Sequence, residues 1–304
     1  MRKSRKAKQL SYINKQIGLG KLPLFLFLFA LFYLQACIEA EEGCLDSAAL
    51  NFNVSADEAC GTCCTYPSFS LSLRHKGIQA SDTVNLNYNT NYLDDFGNTF
   101  AFQSISYYLS NVHLINEGGD IVALNERLDL PTAIEGSDTT FIDIEDNFAL
   151  LDPSDFRDAF IGTIRESGLI SQLEFTIGLD ELIQSSQPDY LPEDHPLAAQ
   201  DPSMYDDNSG RYLYNRIALY RDASLQDAVL EVIEITEEEN KIPVTLNLGV
   251  EIPVGSNVEV TLEIDYLGWL AGVDVQNDSN DAIKAKIVSN LAQSFRVFAV
   301  SFSR

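Results

Sequence analysis

The chain holds only three histidines, two methionines and one tryptophan in 304 residues, and no cysteine follows Cys64. That scarcity excludes several chemistries. There is no HExxH metalloprotease helix, no nucleophile elbow and no glycine loop of the phosphate-cradling kind, and three imidazoles leave little choice of general base. No apolar run reaches the roughly 18 residues that a membrane-spanning helix needs. Acid is missing from residues 1–36, which carry Arg2, Lys3, Arg5, Lys6, Lys8, Lys15 and Lys21. Beyond them 13 basic residues face 45 acidic ones, a balance of −32. Such a surface repels phosphate backbones, which excludes nucleic acid as a partner, and it favours solubility and weak cation association. What is present suffices for a core: 45% of residues are hydrophobic and 10% aromatic, too many for a disordered chain.

The basic start leads into "LPLFLFLFALFYLQAC", whose apolar run from Leu22 to Leu34 has the length of a secretory signal core. Leu34, Ala36 and Cys37 resemble a bacterial lipobox, with Gln35 a looser match. The reading predicts a lipoprotein-type signal peptide over 1–36 and acylation of Cys37. Each buried methylene of an acyl chain contributes about 0.8 kcal/mol, so several chains hold the protein on the membrane. The acidic "IEAEEG" that follows resembles surface-export signals of some Gram-negative lipoproteins.

The remaining cysteines are Cys44, Cys60, Cys63 and Cys64. Secretion permits disulfides, and four thiols allow three pairings among which the sequence does not choose; two bridges from the vicinal Cys63-Cys64 pair back to Cys44 and Cys60 would be awkward for at least one partner. Cys60-Gly-Thr-Cys63 also has the spacing of a zinc site, the competing reading. "GCLDSAALNFNVSADEACGTCCTYP" resembles short modules related to thrombospondin type 3 repeats, small cross-linked spacers of bacterial surface proteins. The match rests on Gly43, Cys44, Asp46, Ala48, Asn51, Phe52, Ala56, Asp57, Cys60 and Tyr66. Asp46, Asn51, Asn53 and Asp57 supply oxygens of the kind calcium takes.

From Ser68 onward the dominant period is two. "FSLSLRH" sets Phe69, Leu71, Leu73 and His75 on one face. "NVEVTLEIDYLGWL" sets Val258, Val260, Leu262, Ile264 and Tyr266 against Glu259, Thr261, Glu263 and Asp265, the pattern of half-buried antiparallel strands. "KIPVTLNLGV" precedes it, with "PVGSN" as the turn, and further strands are expected at 83–89, 101–115, 139–144, 171–179, 211–219, 228–235 and 295–302. Two helices interrupt them: one over 153–166, and one from about Asp281, where Ile283, Ile287, Leu291 and Phe295 recur every four residues behind Asn280 as cap. The fold class is mainly β: an antiparallel β-sandwich with one or two short helices, after a small disulfide-rich N-terminal segment.

"FQSISYYLSNVHLINEGG" carries the most specific resemblance in the body. Tyr107, Tyr108, Leu109, Ser110, Asn111, Val112, Leu114 and Gly119 resemble a strand of the methanobactin-associated MbnP-like family, secreted bacterial proteins linked to copper. "LRHKG" (from Leu73), "SQLEFTIGLD" (from Ser171), "HPLAAQDPSMY" (from His195) and "LEIDYLGWLAGVDV" with Trp269 follow in the family's order, so the resemblance covers about residues 68–304. It implies a copper-associated loop in which Met and an aromatic precede Trp-x-Trp. Here Met204 and Tyr205 are present, while Asp206 and Asn208 stand at the Trp positions and Gly210-Arg211-Tyr212 replaces Gly-Tyr.

The expected order is then a signal peptide over 1–36, a Cys-rich stem over 37–67 and an MbnP-like sandwich over 68–304. No catalytic residue is expected. The candidate metal donors are His75, His113, His195, Met204, Asp206 and Asp207, for copper by resemblance or for calcium by the composition of the 194–208 loop. The expected location is the cell envelope, lipid-anchored at the outer membrane. Its partners would be the membrane through the anchor, and a metal ion or a cell-surface protein. The alternative is a structural or adhesive surface lipoprotein with no metal.

Overall fold

The computed structural model describes residues 40–79, 82–132, 140–155, 157–222, 229–236 and 240–304. Cys37 and the expected signal peptide lie outside the described residues. Two compact units are present, one of residues 40–45 and 53–63, the other of 46–52 and 64–304.

In the small unit β1 (Glu42–Gly43) and β2 (Glu58–Ala59) pair in parallel. The ladder continues where Asp57 N–H donates to the Glu41 carbonyl at 2.8 Å and Cys60 N–H to the Gly43 carbonyl at 2.9 Å. Cys60 and Cys63 are joined by a disulfide. Cys44 and Cys64 are disulfide-bonded as well, so the zinc reading of CxxC lacks its thiolates.

Among its described residues the large unit contains sixteen strands. They are β3 (Ser68–Gln79), β4 (Asp82–Asn85), β5 (Tyr92–Leu93), β6 (Thr99–Asn116), β7 (Arg127–Thr132), β8 (Thr140–Glu145), β9 (Ala149–Leu151) and β10 (Ala159–Thr163). After these come β11 (Gly168–Ile177), β12 (Tyr205–Asp206), β13 (Arg211–Tyr212), β14 (Asn215–Tyr220), β15 (Leu230–Ile235), β16 (Ile242–Ile252), β17 (Asn257–Asp265) and β18 (Phe295–Ser303). One sheet runs β10-β3-β17-β18, with β4 on β3; the other runs β15-β14-β6-β11-β16, with β5 and β9 on β6. Phe69, Leu71, Val260 and Leu262 from the first and Ile105, Tyr107, Leu173 and Phe175 from the second share one buried cluster. The architecture is therefore the expected sandwich, and the alternation of β17 sets its inner face, from Val258 to Ile264, wholly inside. One pairing departs from the antiparallel expectation: β3 and β17 run parallel, Phe69 opposite Val258 and Lys76 opposite Asp265.

On the outer face of this sheet Glu263 sits between Arg74 and Arg296, its cross-strand neighbours, and both guanidiniums pair with it. Arg74 also stacks 3.6 Å above the Phe298 ring. Opposite charges directly across strands support the pairing register.

The helix expected from Asp281 is present as Asn280–Asn290. Its cap is Ser279, one residue earlier than expected, whose hydroxyl accepts the Ala282 N–H at 3.3 Å. Ile283 and Ile287 are fully buried, each contributing roughly 1.5–3 kcal/mol. The other helix, expected over 153–166, is absent among the described residues: Ala159–Thr163 is instead the strand β10, which pairs antiparallel with β3 through a bulge between Phe160 and Gly162. The apolar spacing was compatible with either period, and the unpaired edge of β3 decides for a strand. A short helix at Glu181–Gln184 occupies a stretch with no such expectation. The strand expected at 211–219 is split into β13 and β14.

A second apolar cluster covers the outer face of the β6 sheet. Tyr107 and Tyr108 point to opposite faces of β6, Tyr107 into the main core and Tyr108 into this one. Tyr108 is joined there by Leu130, Ile183, Leu197, Met204, Tyr212 and Tyr214. Thus "HPLAAQDPSMYDDNSGRYLY" is a packed third layer, although it shows no helical or strand rhythm until its last few residues. Gln184 fastens it like an added strand: its amide accepts from Tyr212 N–H at 2.8 Å and donates to the Tyr212 carbonyl at 3.2 Å. Tyr212 Oη donates to the Leu197 carbonyl at 2.8 Å and Tyr108 Oη to the Pro196 carbonyl at 3.1 Å, so both buried phenols are satisfied.

Candidate functional site

The six candidate donors occupy separate environments. His75 faces the interior between the sheets, where Nδ1 meets Tyr266 Oη at 2.8 Å and Nε2 has no hydrogen-bond partner. Burial pushes its imidazole down to about 4, against the opposing pull of the Asp152 carboxylate, so the ring is neutral near pH 7. Tyr266 Oη in turn meets Tyr107 Oη at 3.0 Å, and Trp269 packs on both tyrosines while its Nε1 donates to Ser294 Oγ at 2.7 Å. His113 lies on the other side of the β6 sheet, with Nε2 2.9 Å from both Glu145 Oε2 and Asn147 Nδ2.

His195 is 8% exposed, and both ring nitrogens are engaged: Nδ1 accepts the Leu197 N–H at 3.0 Å, so Nε2 carries the proton and donates to Asp146 Oδ1 at 3.1 Å. Met204 fills the second apolar cluster. Asp206 closes a turn by accepting the Asn208 N–H at 3.0 Å, and Asp207 is exposed. Copper needs two or three nitrogen or sulfur donors converging on one point. Here the unpartnered His75 Nε2 stands alone in the core, and His113 and His195 lie in separate environments, so this donor set does not fit copper. Among the described residues no group of three or more His, Cys, Asp and Glu side chains is placed to hold a metal ion.

The family-like motif residues do meet, for a structural purpose. β6 and β11 slip register between Glu174 and Thr176, and Asn111 takes up the slip with φ 52°, the left-handed region. Ser110 Oγ donates to the Gly178 carbonyl at 2.7 Å, and Asn111 Nδ2 to Asp180 Oδ2 at 2.9 Å. Lys241 Nζ holds the other Asp180 oxygen at 2.7 Å. Burial works to raise the Asp180 carboxyl, yet the bonds from Lys241 and Asn111 keep it below the ordinary carboxylate range. "SN" and "GLD" are thus two halves of one bulge lock.

What the arrangement offers a ligand is a cleft of about 590 Å³ built by β9, the turn after it, β10 and residues 192–196. Its lining includes the carboxylates of Glu126, Asp146, Asp152, Asp155, Asp158 and Asp194 against one cation, Arg157. Several are already committed: Asp155 pairs with Arg157 at 2.6 Å, Asp146 with His195, and Glu126 accepts the Thr163 hydroxyl at 2.8 Å. Asp158 and Asp194 form no ion pair among the described residues. Phe148, Leu150 and Phe160 line the same cleft, and Phe160 is 56% exposed. His195 therefore acts here as a brace that orients Asp146, with Phe148 packed edge-on against its ring. Sequence reasoning missed most of this wall. The only signal was the acid-rich run "DIEDNFALLDPSDFRD", which begins at the strand expected over 139–144 and ends inside the helix expected over 153–166.

A family model described as MbnP matches residues 67–287. Among solved structures, MbnP from Methylosinus trichosporium is similar, with 13% sequence identity and a TM-score of 0.39 over 78% of this chain and 98% of that one. No curated protein matches.

Proposed function

Because the chain belongs to the MbnP family across residues 67–287, we propose that it is a cell-envelope lipoprotein that works by binding rather than catalysis. Its contact site is the acidic cleft, and its ligand class is an organic cation with an apolar body. One observation carries this reading: six carboxylates and a single arginine line a cleft that also presents Phe148, Leu150 and Phe160. Negative charge spread along an apolar wall suits an extended amine better than a point-like ion, which needs its oxygens gathered at one centre. The lipobox-like Leu34-Gln35-Ala36-Cys37 supports the envelope location.

Calorimetry with an alkyl polyamine such as spermidine tests the site. Binding should be salt-sensitive and should weaken at least fivefold in Asp158→Asn/Asp194→Asn, whose side chains have no ion pair to lose among the described residues. Unchanged binding in that variant, or a stoichiometric copper site in protein purified without chelator, would overturn the reading. A chain that binds no cation at all would favour the adhesive alternative.

A further inference from the structure

The Cys60–Cys63 disulfide closes a loop of two intervening residues, Gly61 and Thr62, both exposed. Cys63 is itself exposed and Cys60 half-buried, whereas Cys44, also disulfide-bonded, is 1% exposed. A bridge over so short a loop restricts the unfolded chain little. The loop-closure contribution grows with the number of residues enclosed, so this bridge contributes less than one over a longer loop. Backbone bonds also hold the fold around it. The β1–β2 ladder and its flanking hydrogen bonds, Asp57 to Glu41 and Cys60 to Gly43, are formed by backbone alone. Asn53 N–H adds a bond to the Cys44 carbonyl at 2.7 Å. A disulfide that is accessible and closes so local a loop is of the exchangeable kind.

We propose that Cys60–Cys63 is a thiol–disulfide exchange site, open to a protein dithiol of the cell envelope. The incoming thiolate attacks the exposed Cys63 sulfur, the Cys60–Cys63 bond breaks, and its electron pair leaves on Cys60 as a thiolate, which takes up a proton. The second thiol of the partner, as thiolate, then attacks the mixed disulfide. Cys63 leaves and is protonated in turn, so the partner dithiol is oxidised as Cys60 and Cys63 are reduced.

The test is graded reduction of the full folded protein with dithiothreitol, followed by alkylation and mass mapping of each cysteine. Cys60 and Cys63 should be alkylated together at a dithiol concentration at least tenfold below that which labels Cys44 and Cys64. Simultaneous labelling of all four, or earlier labelling of Cys44 and Cys64, would overturn the proposal. A Cys60→Ser/Cys63→Ser variant provides the second arm. It should keep the wild-type circular dichroism spectrum and lose the early labelling step; a variant that unfolds would show the bridge to be structural and would overturn the proposal too.

Discussion

A neutral imidazole is the form of His75 that the interior accepts. Its folded pKa lies near 4 where an ordinary histidine has 6.5. As pH falls below 6.5 the unfolded chain takes up a proton that the folded chain refuses, so stability declines, and the decline ends only below about 4. The full effect amounts to about 3 kcal/mol. Carboxylates titrate in part of the same window, so the informative measurement is a comparison. Between pH 7 and pH 4.5, chemical denaturation should show wild type losing about 2 kcal/mol more than His75→Gln, which cannot titrate. Equal losses would mean that His75 is protonated in the folded protein. The other donors follow the same lesson at this scale. Residue type made His195 and Met204 credible ligands, but what each atom does was set by neighbours that no local pattern announces: a backbone N–H two residues on for His195, an apolar layer for Met204.

Among the elements, β6 bears the most: it pairs with β11 and β14 and carries β5 and β9. Its bulge at Asn111 is the place to test whether the "SN" motif is structural. Asn111→Ala loses the bond to Asp180 and forces a Cβ-bearing residue without a polar side chain into φ 52°. Asn111→Gly loses the bond alone. The alanine variant should therefore be less stable than the glycine variant by about 1 kcal/mol, read from denaturation midpoints. The reverse order would deny the left-handed conformation.

Elements with one clean period were legible in advance. β17 alternates, and the helix Asn280–Asn290 repeats every four residues through Ile283 and Ile287. The segment around β10 was not, because Ala159, Phe160, Ile161 and Ile164 fit both periods and the deciding partner, β3, lies some ninety residues earlier in the chain. The cleft was illegible for a similar reason. Its walls come from residues 73, 126, 146–161 and 192–196, and only folding gathers them.

For the whole molecule, charge and anchoring make separate predictions. With 45 acidic residues against 20 basic ones, self-repulsion opposes compaction. Raising NaCl from 20 to 300 mM should raise Tm by roughly 2–5 °C as the Debye length shortens and the repulsion is screened; an unchanged Tm would show that the acids are paired or dispersed well enough not to repel. Labelled palmitate should enter the wild-type protein in a Gram-negative host and be lost on Cys37→Ser. Incorporation that survives the substitution would remove the lipobox reading while leaving the sandwich intact.

The parallel seam between β3 and β17 has a temporal consequence. Ser68 N–H donates to Asn257 Oδ1 at 2.9 Å across a separation of 189 residues. The opening strand of the body therefore waits, throughout synthesis, for a mate that emerges near the end. Contacts so distant along the chain are made late and slowly. A nascent polypeptide stalled before residue 257 lacks the strand that β3 pairs with along its whole inner length, so the first sheet closes only when synthesis is nearly done.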